Sequence, residues 1–175
     1  MSEEAAMAGG SLPLVTVPIV TGRARPDAEQ LLASVPLRFI ARFPFDAGGV
    51  GLATAQSPAA GSQVRQYSVV TVDYPSPLGP LEDSPVEGPL PNGWLDGTVE
   101  GVFVGERAVV LRFSLDPAVT PFTFTLYRTA DVIEREGWMR RGAMLAVAQR
   151  AFSGAHPTRL LVAADSTITN IEIHR

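Results

Sequence analysis

Arginine and aromatic side chains in the second half of this sequence are the groups with the clearest chemical potential. A guanidinium group can hold a phosphate, and an aromatic face can stack on another flat ring. The candidates are Arg112, Tyr127, Arg128, Trp138, Arg140, Arg141, Arg150 and Phe152. They fall on the polar sides of predicted strands or beside the predicted helix, so they indicate a surface that can follow a polyanion.

Residues that would support catalysis are sparse. His156 falls in a predicted turn, and His174 is the next-to-last residue. Asp131, Glu134 and Glu136 lie close together, but they are typical of a solvated helix face. The chain contains no nucleophile elbow, zinc-protease helix or glycine loop that could cradle a phosphate. The sequence therefore favours a protein that is not an enzyme and that binds neither a metal nor a cofactor.

The composition excludes further kinds of chemistry. All 14 basic residues are arginine, and the lack of lysine excludes Schiff-base and P-loop mechanisms. The chain has no cysteine, so disulfides and thiolate zinc sites are excluded as well. The net charge is −4, but residues 1–93 carry 9 acidic and 5 basic side chains whereas residues 94–175 carry 9 of each. A surface that binds polyanions is therefore expected in the second half.

The N-terminus and the apolar segments predict where the protein resides. The opening MSEEAAMAGG is acidic and lacks the basic and then apolar regions of a secretory signal. The longest apolar runs, SLPLVTVPIV and AMLAVA, are too short to cross a bilayer. We therefore expect a cytoplasmic protein that makes no use of a membrane.

A proline-rich stretch suggests the domain organisation. Residues 75–93 hold six prolines, three glycines and three carboxylates, which predicts an extended linker or a long loop. On either side we expect a β-rich N-terminal region over residues 11–74 and a second domain over residues 94–175. Residues 1–10 are expected to be disordered.

The first half is predicted to contain three strands and a helix. The strands are expected over Leu12–Val20, Val35–Phe45 and Val64–Tyr74, which are rich in β-branched and aromatic residues. The segment RPDAEQLLAS predicts a short helix because Pro26 suits a first helical position and an acid follows it. These strands are expected to form a small domain, extend a neighbouring sheet, or contact a second copy or a partner protein.

The second half begins with three predicted strands over Gly97–Val104, Ala108–Leu115 and Phe122–Arg128. Apolar and polar residues alternate along them, which is the pattern of a sheet with one buried face. The phenylalanines of these strands are expected in the core; they are Phe103, Phe113, Phe122 and Phe124.

A helix and two further strands are predicted to complete the second half. Thr129 is expected to cap a helix over ADVIEREGWMRR that stops at Gly142. The last two strands are predicted over Ala143–Phe152 and Leu160–Ile173, the latter bent or interrupted near Asp165-Ser166.

This order of elements is that of an OB-fold, a partly open five-stranded barrel that often binds oligonucleotides. ADVIEREGWMRRGAMLAVAQRAF resembles the segment of bacterial single-stranded DNA-binding proteins in which a helix leads through a basic residue and glycine into an apolar strand. Here that is Arg141-Gly142 followed by Ala143–Val147, and LLVAADSTITNIEI resembles the closing strand. The resemblance covers about 80 of the 175 residues. Ala148 and Gln149 depart from the Glu-Gly pair usual in that family.

The sequence thus predicts a mainly β protein whose second half is an OB-type five-stranded barrel with one short helix. The resemblance implies binding of single-stranded nucleic acid, without catalysis, in DNA replication, repair or recombination. The unpaired strand edges of such a fold favour a dimer. The alternative is a structural or assembly protein, for example of a virion, in which the barrel and the N-terminal strands mediate oligomers.

Overall fold

The computed structural model shows a chain that divides into two compact, mainly β units. One unit spans Leu12–Pro89 and the other contains Leu90–Arg175. The structure describes residues 11–49, 51–78, 80–106, 108–128 and 135–174. The predicted helix cap at Thr129 lies outside these residues. No helix in these ranges is both long enough and apolar enough to cross a bilayer.

The helix of the first unit lies where the sequence predicts it. Helix α1 spans Arg25–Ser34, with Pro26 in its opening turn and Asp27 in the first turn. Proline suits this place because the first amide groups of a helix have no partner within the helix. Ala28 and Leu32, one helical turn apart, are buried in the core of the first unit.

Five short strands form two sheets in the first unit. Strand β1 (Leu14–Thr16) pairs antiparallel with β4 (Gln63–Arg65). Strand β5 (Val69–Asp73) lies between β2 (Arg38–Arg42), to which it is parallel, and β3 (Ala55–Ser57), to which it is antiparallel. The observed strands are shorter than the predicted ones, and β3 falls in a small-residue stretch with no local strand signal.

The proline-rich segment is a long loop whose larger part belongs to the first unit. Phe39 exchanges two backbone hydrogen bonds with Glu87, at 2.8 and 2.9 Å, and Ser84 donates its amide to the carbonyl of Ala41 at 2.8 Å. Ser84 and Glu87, which lie between the prolines, thus supply the backbone N–H donors that proline lacks. The sequence predicted a linker or a long loop over residues 75–93, and the boundary between the compact units lies within this range, at Pro89 and Leu90.

The second unit is built on one five-stranded antiparallel sheet. Its strands are β6 (Gly93–Val104), β7 (Ala108–Ser114), β8 (Phe122–Arg128), β9 (Pro157–Val162) and β10 (Ile168–Ile173). Their spatial order is β10-β9-β6-β7-β8. The first three strands were predicted from the sequence, although β6 begins four residues earlier than expected.

The prediction for residues 143–152 is wrong. They belong to helix α2, which spans Arg135–Ser153 and continues through Gly142 without stopping. Met144, Ala148 and Ala151 are buried at spacings of four and three residues, which is the period of a helix. The Arg141-Gly142 step therefore lies inside a helix and does not lead into a strand.

The predicted final strand is instead a hairpin. Strands β9 and β10 are separated by a turn at the place where a bend was expected, and Ser166 in that turn has a positive φ of 66°. The order of three strands, a helix and two strands is therefore as predicted, while the segments that form the last two strands differ.

The edge strands of this sheet meet at one point in the described residues, so the sheet is not a closed barrel. Thr125 of β8 and Thr167, just before β10, form an isolated parallel bridge, and the amide of Thr125 donates to the carbonyl of Ser166 at 3.0 Å. Beyond this bridge Arg140 and Met144 of α2 line a cavity of about 240 Å³ beside both strands.

Candidate functional site

The face of the sheet opposite the buried side chains, here called the outer face, carries the polar and exposed residues of the second unit. On β7, Val109, Leu111 and Phe113 are buried, while Arg112 between them is exposed. Asp96 of β6 lies directly opposite Arg159 of β9 in the antiparallel register. Because side chains alternate along a strand, these charged residues share the outer face.

The first cluster on the outer face contains Glu100, Phe103 and Arg112. Nε of Arg112 lies 3.4 Å from Oε2 of Glu100, and the Phe103 side chain is 55% exposed. Gly101 lies between them: a Cβ at this position would come within 2.8 Å of the Phe103 ring and 3.7 Å of the Arg112 Cβ. The missing side chain of Gly101 lets the Phe103 ring lie flat against the sheet, beside a cation.

The second cluster contains Trp94, Asp96, Arg159 and His174. Arg159 donates from Nε and Nη2 to the two carboxylate oxygens of Asp96, at 2.9 and 3.1 Å, and its guanidinium carbon lies 5.6 Å from the centre of the Trp94 ring. Nε2 of His174 lies 3.2 Å from Oδ1 of Asp96. The hydrogen bonds from Arg159 lower the pKa of Asp96 below its usual value, and His174 contributes in the same direction.

Three of the candidates predicted from the sequence lie together, but not on the outer face. Arg141 of α2 places its guanidinium 5.9 Å from the centre of the Tyr127 ring, and Nη2 of Arg140 donates to the carbonyl of Thr169 at 3.0 Å. These contacts lie where α2 packs against β8 and β10. Arg140 and Tyr127 thus take part in joining the helix to the sheet edges.

The remaining candidates lie elsewhere. Arg150 and Phe152 are exposed in the last turns of α2, away from Arg112. The side chains of Arg128 and Trp138 lie outside the part of the chain that the structure describes. The six candidates whose side chains the structure describes therefore do not form one surface, and among these six only Arg112 lies on the outer face.

Sequence reasoning missed two aromatic residues of the outer face. Phe103 was expected in the core, but a β-bulge in the β6–β7 register between Val99 and Gly101 changes the alternation. Val99 therefore faces inward whereas Phe103 faces outward. Trp94, which is 39% exposed, was overlooked because it directly follows the proline-rich segment. The Gly101 in the middle of a strand was the available signal, since an isolated strand glycine suggests a bulge.

The arginines of the outer face, Arg112 and Arg159, are each paired with a carboxylate on a neighbouring strand. Within the described residues, no group of three or more His, Asp or Glu side chains is placed to hold a metal ion. The outer face therefore offers aromatic surfaces and paired guanidinium groups, which suit stacking and anion contacts better than proton transfer.

Comparison with known proteins yields one weak likeness. No family model and no curated protein matches the chain. A solved structure of the extracellular region of the Ser/Thr kinase PrkC from Staphylococcus aureus aligns with 93% of this chain, at 12% identity and a TM-score of 0.33. The chain spans about half (52%) of the length of that structure. A likeness at this level assigns neither a fold nor a function.

Proposed function

We propose that this chain is a cytoplasmic, non-catalytic protein whose second unit is an OB-type module that binds single-stranded nucleic acid across its outer face. The observation that carries the proposal is the topology of the sheet. Three sequential antiparallel strands are followed by a helix and a hairpin, and the third and fifth strands come together in parallel at Thr125 and Thr167. A partly open five-stranded barrel of this order is typical of OB-folds.

The outer face supports the proposal through the chemistry of its two clusters. Bases stack on exposed aromatic rings, and the phosphates between them contact guanidinium groups. Phe103 lies beside Arg112 at one end of β6, and Trp94 lies beneath Arg159 at the other. Phe103 also lies close to the loop between the first two strands, a region that OB-folds use for oligonucleotide binding.

The charge of the outer face predicts the strength of binding. Glu100 and Asp96 neutralise the two arginines, so a bound strand must displace or share those carboxylates. Few counterions would then be released on binding, and the affinity is expected to depend only weakly on salt. The proposal is therefore one of modest affinity dominated by stacking.

The test is fluorescence anisotropy of a labelled oligo(dT) of about 30 nucleotides, titrated with the protein at low and physiological salt. We expect saturable binding to the single strand and weaker binding to duplex DNA. Phe103→Ala is expected to weaken binding about tenfold, because one stacked base contributes roughly 1–3 kcal/mol. Arg112→Glu is expected to weaken it further by adding a negative charge beside Glu100.

Matched controls come from helix α2. Phe152→Ala and Arg150→Glu change the same residue types at exposed positions away from the outer face, so they should leave the affinity unchanged. Binding that is absent at low salt would refute the proposal. Equal losses in the control variants and in Phe103→Ala would place the binding surface elsewhere.

A second candidate is a structural or assembly protein, and the first unit favours it. Ile19, Phe45 and Leu78 are 60%, 61% and 86% exposed there, and exposed apolar side chains can contribute to contacts between copies. Light scattering of the purified protein over a range of concentrations tests this candidate. A defined oligomer that dissociates when Phe45 and Leu78 are replaced by Ser would support it, and a monomer at all concentrations would argue against it.

A further inference from the structure

A groove of about 460 Å³ runs beside β10 and the second half of α2, next to the second cluster of the outer face, with which it shares His174. Its apolar lining comes from Val147, Ile171 and Ile173. Its basic residues are Arg150, His156 and His174, and these include both histidines of the chain. Three separate elements thus bring basic side chains to one apolar groove: the end of α2, the turn after it and the end of β10.

The backbone of β10 has hydrogen-bonding groups directed toward this groove. The amide of His174 donates to the carbonyl of Pro157 at 2.9 Å, which identifies 174 and 157 as a hydrogen-bonded pair of the β9–β10 ladder. Because such pairs alternate in an antiparallel ladder, the peptide groups of Ile171 and Ile173 point away from β9. In agreement, the amide of Ile171 bonds to the side chain of Asn170 at 2.9 Å and not to β9.

Within the described residues, this edge of β10 has no strand partner beyond its bridge to β8, which joins Thr125 and Thr167. Arg140 of α2 binds the carbonyl of Thr169, so a helix side chain covers the edge next to the bridge. Ile171 and Ile173 follow as the section that can accept another strand.

The charged residues of the groove indicate which charge a partner would carry. Within the described part of the chain Arg150 has no carboxylate partner, in contrast to Arg112 and Arg159. His156 lies in the turn after α2 and is exposed, and His174 already contacts Asp96. Glu172 is the acidic residue of the groove lining. The charge of Arg150 favours a ligand that carries a carboxylate, and His156 offers a further hydrogen-bonding group beside it.

We propose that this groove binds an extended acidic peptide segment of a partner protein, which adds as a strand to the edge of β10. Its backbone would pair with Ile173 and with the carbonyl of Ile171, whose amide is bonded to Asn170, as in other cases of strand addition. Its alternate apolar side chains would pack against Val147, and its carboxylates would contact Arg150 and His156. The site shares His174 with the second cluster of the outer face, but Val147 and Arg150 lie on α2, so the two proposals can be tested separately.

The test is fluorescence polarisation with a labelled octapeptide that alternates valine and glutamate, titrated with the full chain. We expect saturable binding, and little or no binding of a valine–lysine octapeptide or of an acidic octapeptide with N-methylated backbone amides. Arg150→Glu is expected to weaken binding of the acidic probe about tenfold or more through charge reversal. Circular dichroism of the variant checks that it folds.

The control is Arg112→Glu, which makes the same change on the outer face and should leave peptide affinity unchanged. Loss of oligo(dT) binding in Arg112→Glu with peptide binding intact separates the two proposals. The peptide proposal is overturned if the acidic probe does not bind at millimolar protein or if Arg150→Glu binds it as tightly as the original chain. A dimer that dissociates in Arg150→Glu would also overturn it, because the groove would then hold a second copy.

Discussion

Arg159 binds Asp96 with both ends of its guanidinium fork while it lies over the ring of Trp94. The two hydrogen bonds measure 2.9 and 3.1 Å, and the guanidinium carbon is 5.6 Å from the ring centre. Asp96 and Arg159 are directly opposite each other on β6 and β9. Arg159 therefore stabilises the pairing of β6 with β9 and also lies against an exposed aromatic ring of the outer face.

The ion pair between Asp96 and Arg159 predicts a pH dependence of stability. The pKa of Asp96 is lowered because Arg159 hydrogen-bonds its ionised form, so the folded protein binds this proton more weakly than the unfolded chain does. The stabilisation is present above the unfolded pKa of about 4 and is lost as the pH falls through the lower folded pKa. Asp96→Asn should remove about 1 kcal/mol at neutral pH.

Urea unfolding at about pH 7 and about pH 2.5 measures this effect. The free energy of unfolding of the original chain should fall more between these values than that of Asp96→Asn. Parallel pH profiles of the two proteins would show that the pair does not contribute.

We expect the same substitution to have a large effect on stability at one phenylalanine of the second unit and a small effect at another. Phe124 is fully buried and stacks on Phe122 with ring centres 5.9 Å apart, whereas Phe103 is 55% exposed. Phe124→Ala should lower the free energy of unfolding by about 3–5 kcal/mol because it leaves a cavity. Phe103→Ala should change it by about 0.5 kcal/mol or less. Denaturant unfolding of both variants checks this, and similar losses would contradict the outward position of Phe103.

We expect substitution by alanine to have opposite effects on stability at Gly97 and at Gly142. A Cβ at Gly97 would lie 2.1 Å from the carbonyl oxygen of Ser114 and 2.8 Å from the Phe113 ring. Gly97→Ala should therefore destabilise the β6–β7 pairing, by about 2–3 kcal/mol. A Cβ at Gly142 meets nothing within 4 Å, so Gly142→Ala should stabilise α2 by about 1 kcal/mol. Thermal unfolding should shift the midpoint downward for the first variant and upward for the second. If Gly142→Ala lowered the midpoint, residue 142 would not be helical.

Arg38 is a buried arginine of the first unit, and we expect its substitution to lower the stability of the protein. Arg38 is 3% exposed, and its Nε donates to the carbonyl of Tyr67 at 2.7 Å, where Tyr67 has a positive φ of 64°. Burial lowers the pKa of Arg38 to about 10, which leaves it charged at neutral pH. Arg38→Ala should cost about 2–3 kcal/mol, because a hydrogen bond from a charged donor and buried packing are both lost.

Hydrogen exchange of the amides in β2 and β5 measures the effect of Arg38→Ala locally. Arg23→Ala serves as the control because Arg23 is exposed, and it should leave the exchange unchanged. Equal protection in both variants would show that Arg38 is not needed to hold the turn at Tyr67.

Local patterns in the sequence were sufficient for part of the fold. Helix α1 follows from Pro26 and the residues after it, and β7 and β8 follow from strict alternation of apolar and polar residues. The lack of lysine and cysteine is a property of composition alone, and the chemistry it excludes needs no structure. These features depend on a few neighbouring residues or on which side chains are present, so they can be predicted without the tertiary structure.

Tertiary structure decided the rest, because the deciding contacts lie far apart in sequence. The run from Ala143 to Ala151 is short and apolar, and its periodicity suits either a buried strand or a helix until Met144 and Ala148 pack against the sheet. Phe103 faces solvent because β6 has a bulge opposite β7, which only the pairing of the two strands reveals. For the same reason Arg150 is separated from Arg112, although both are arginines of the half where a binding surface was expected.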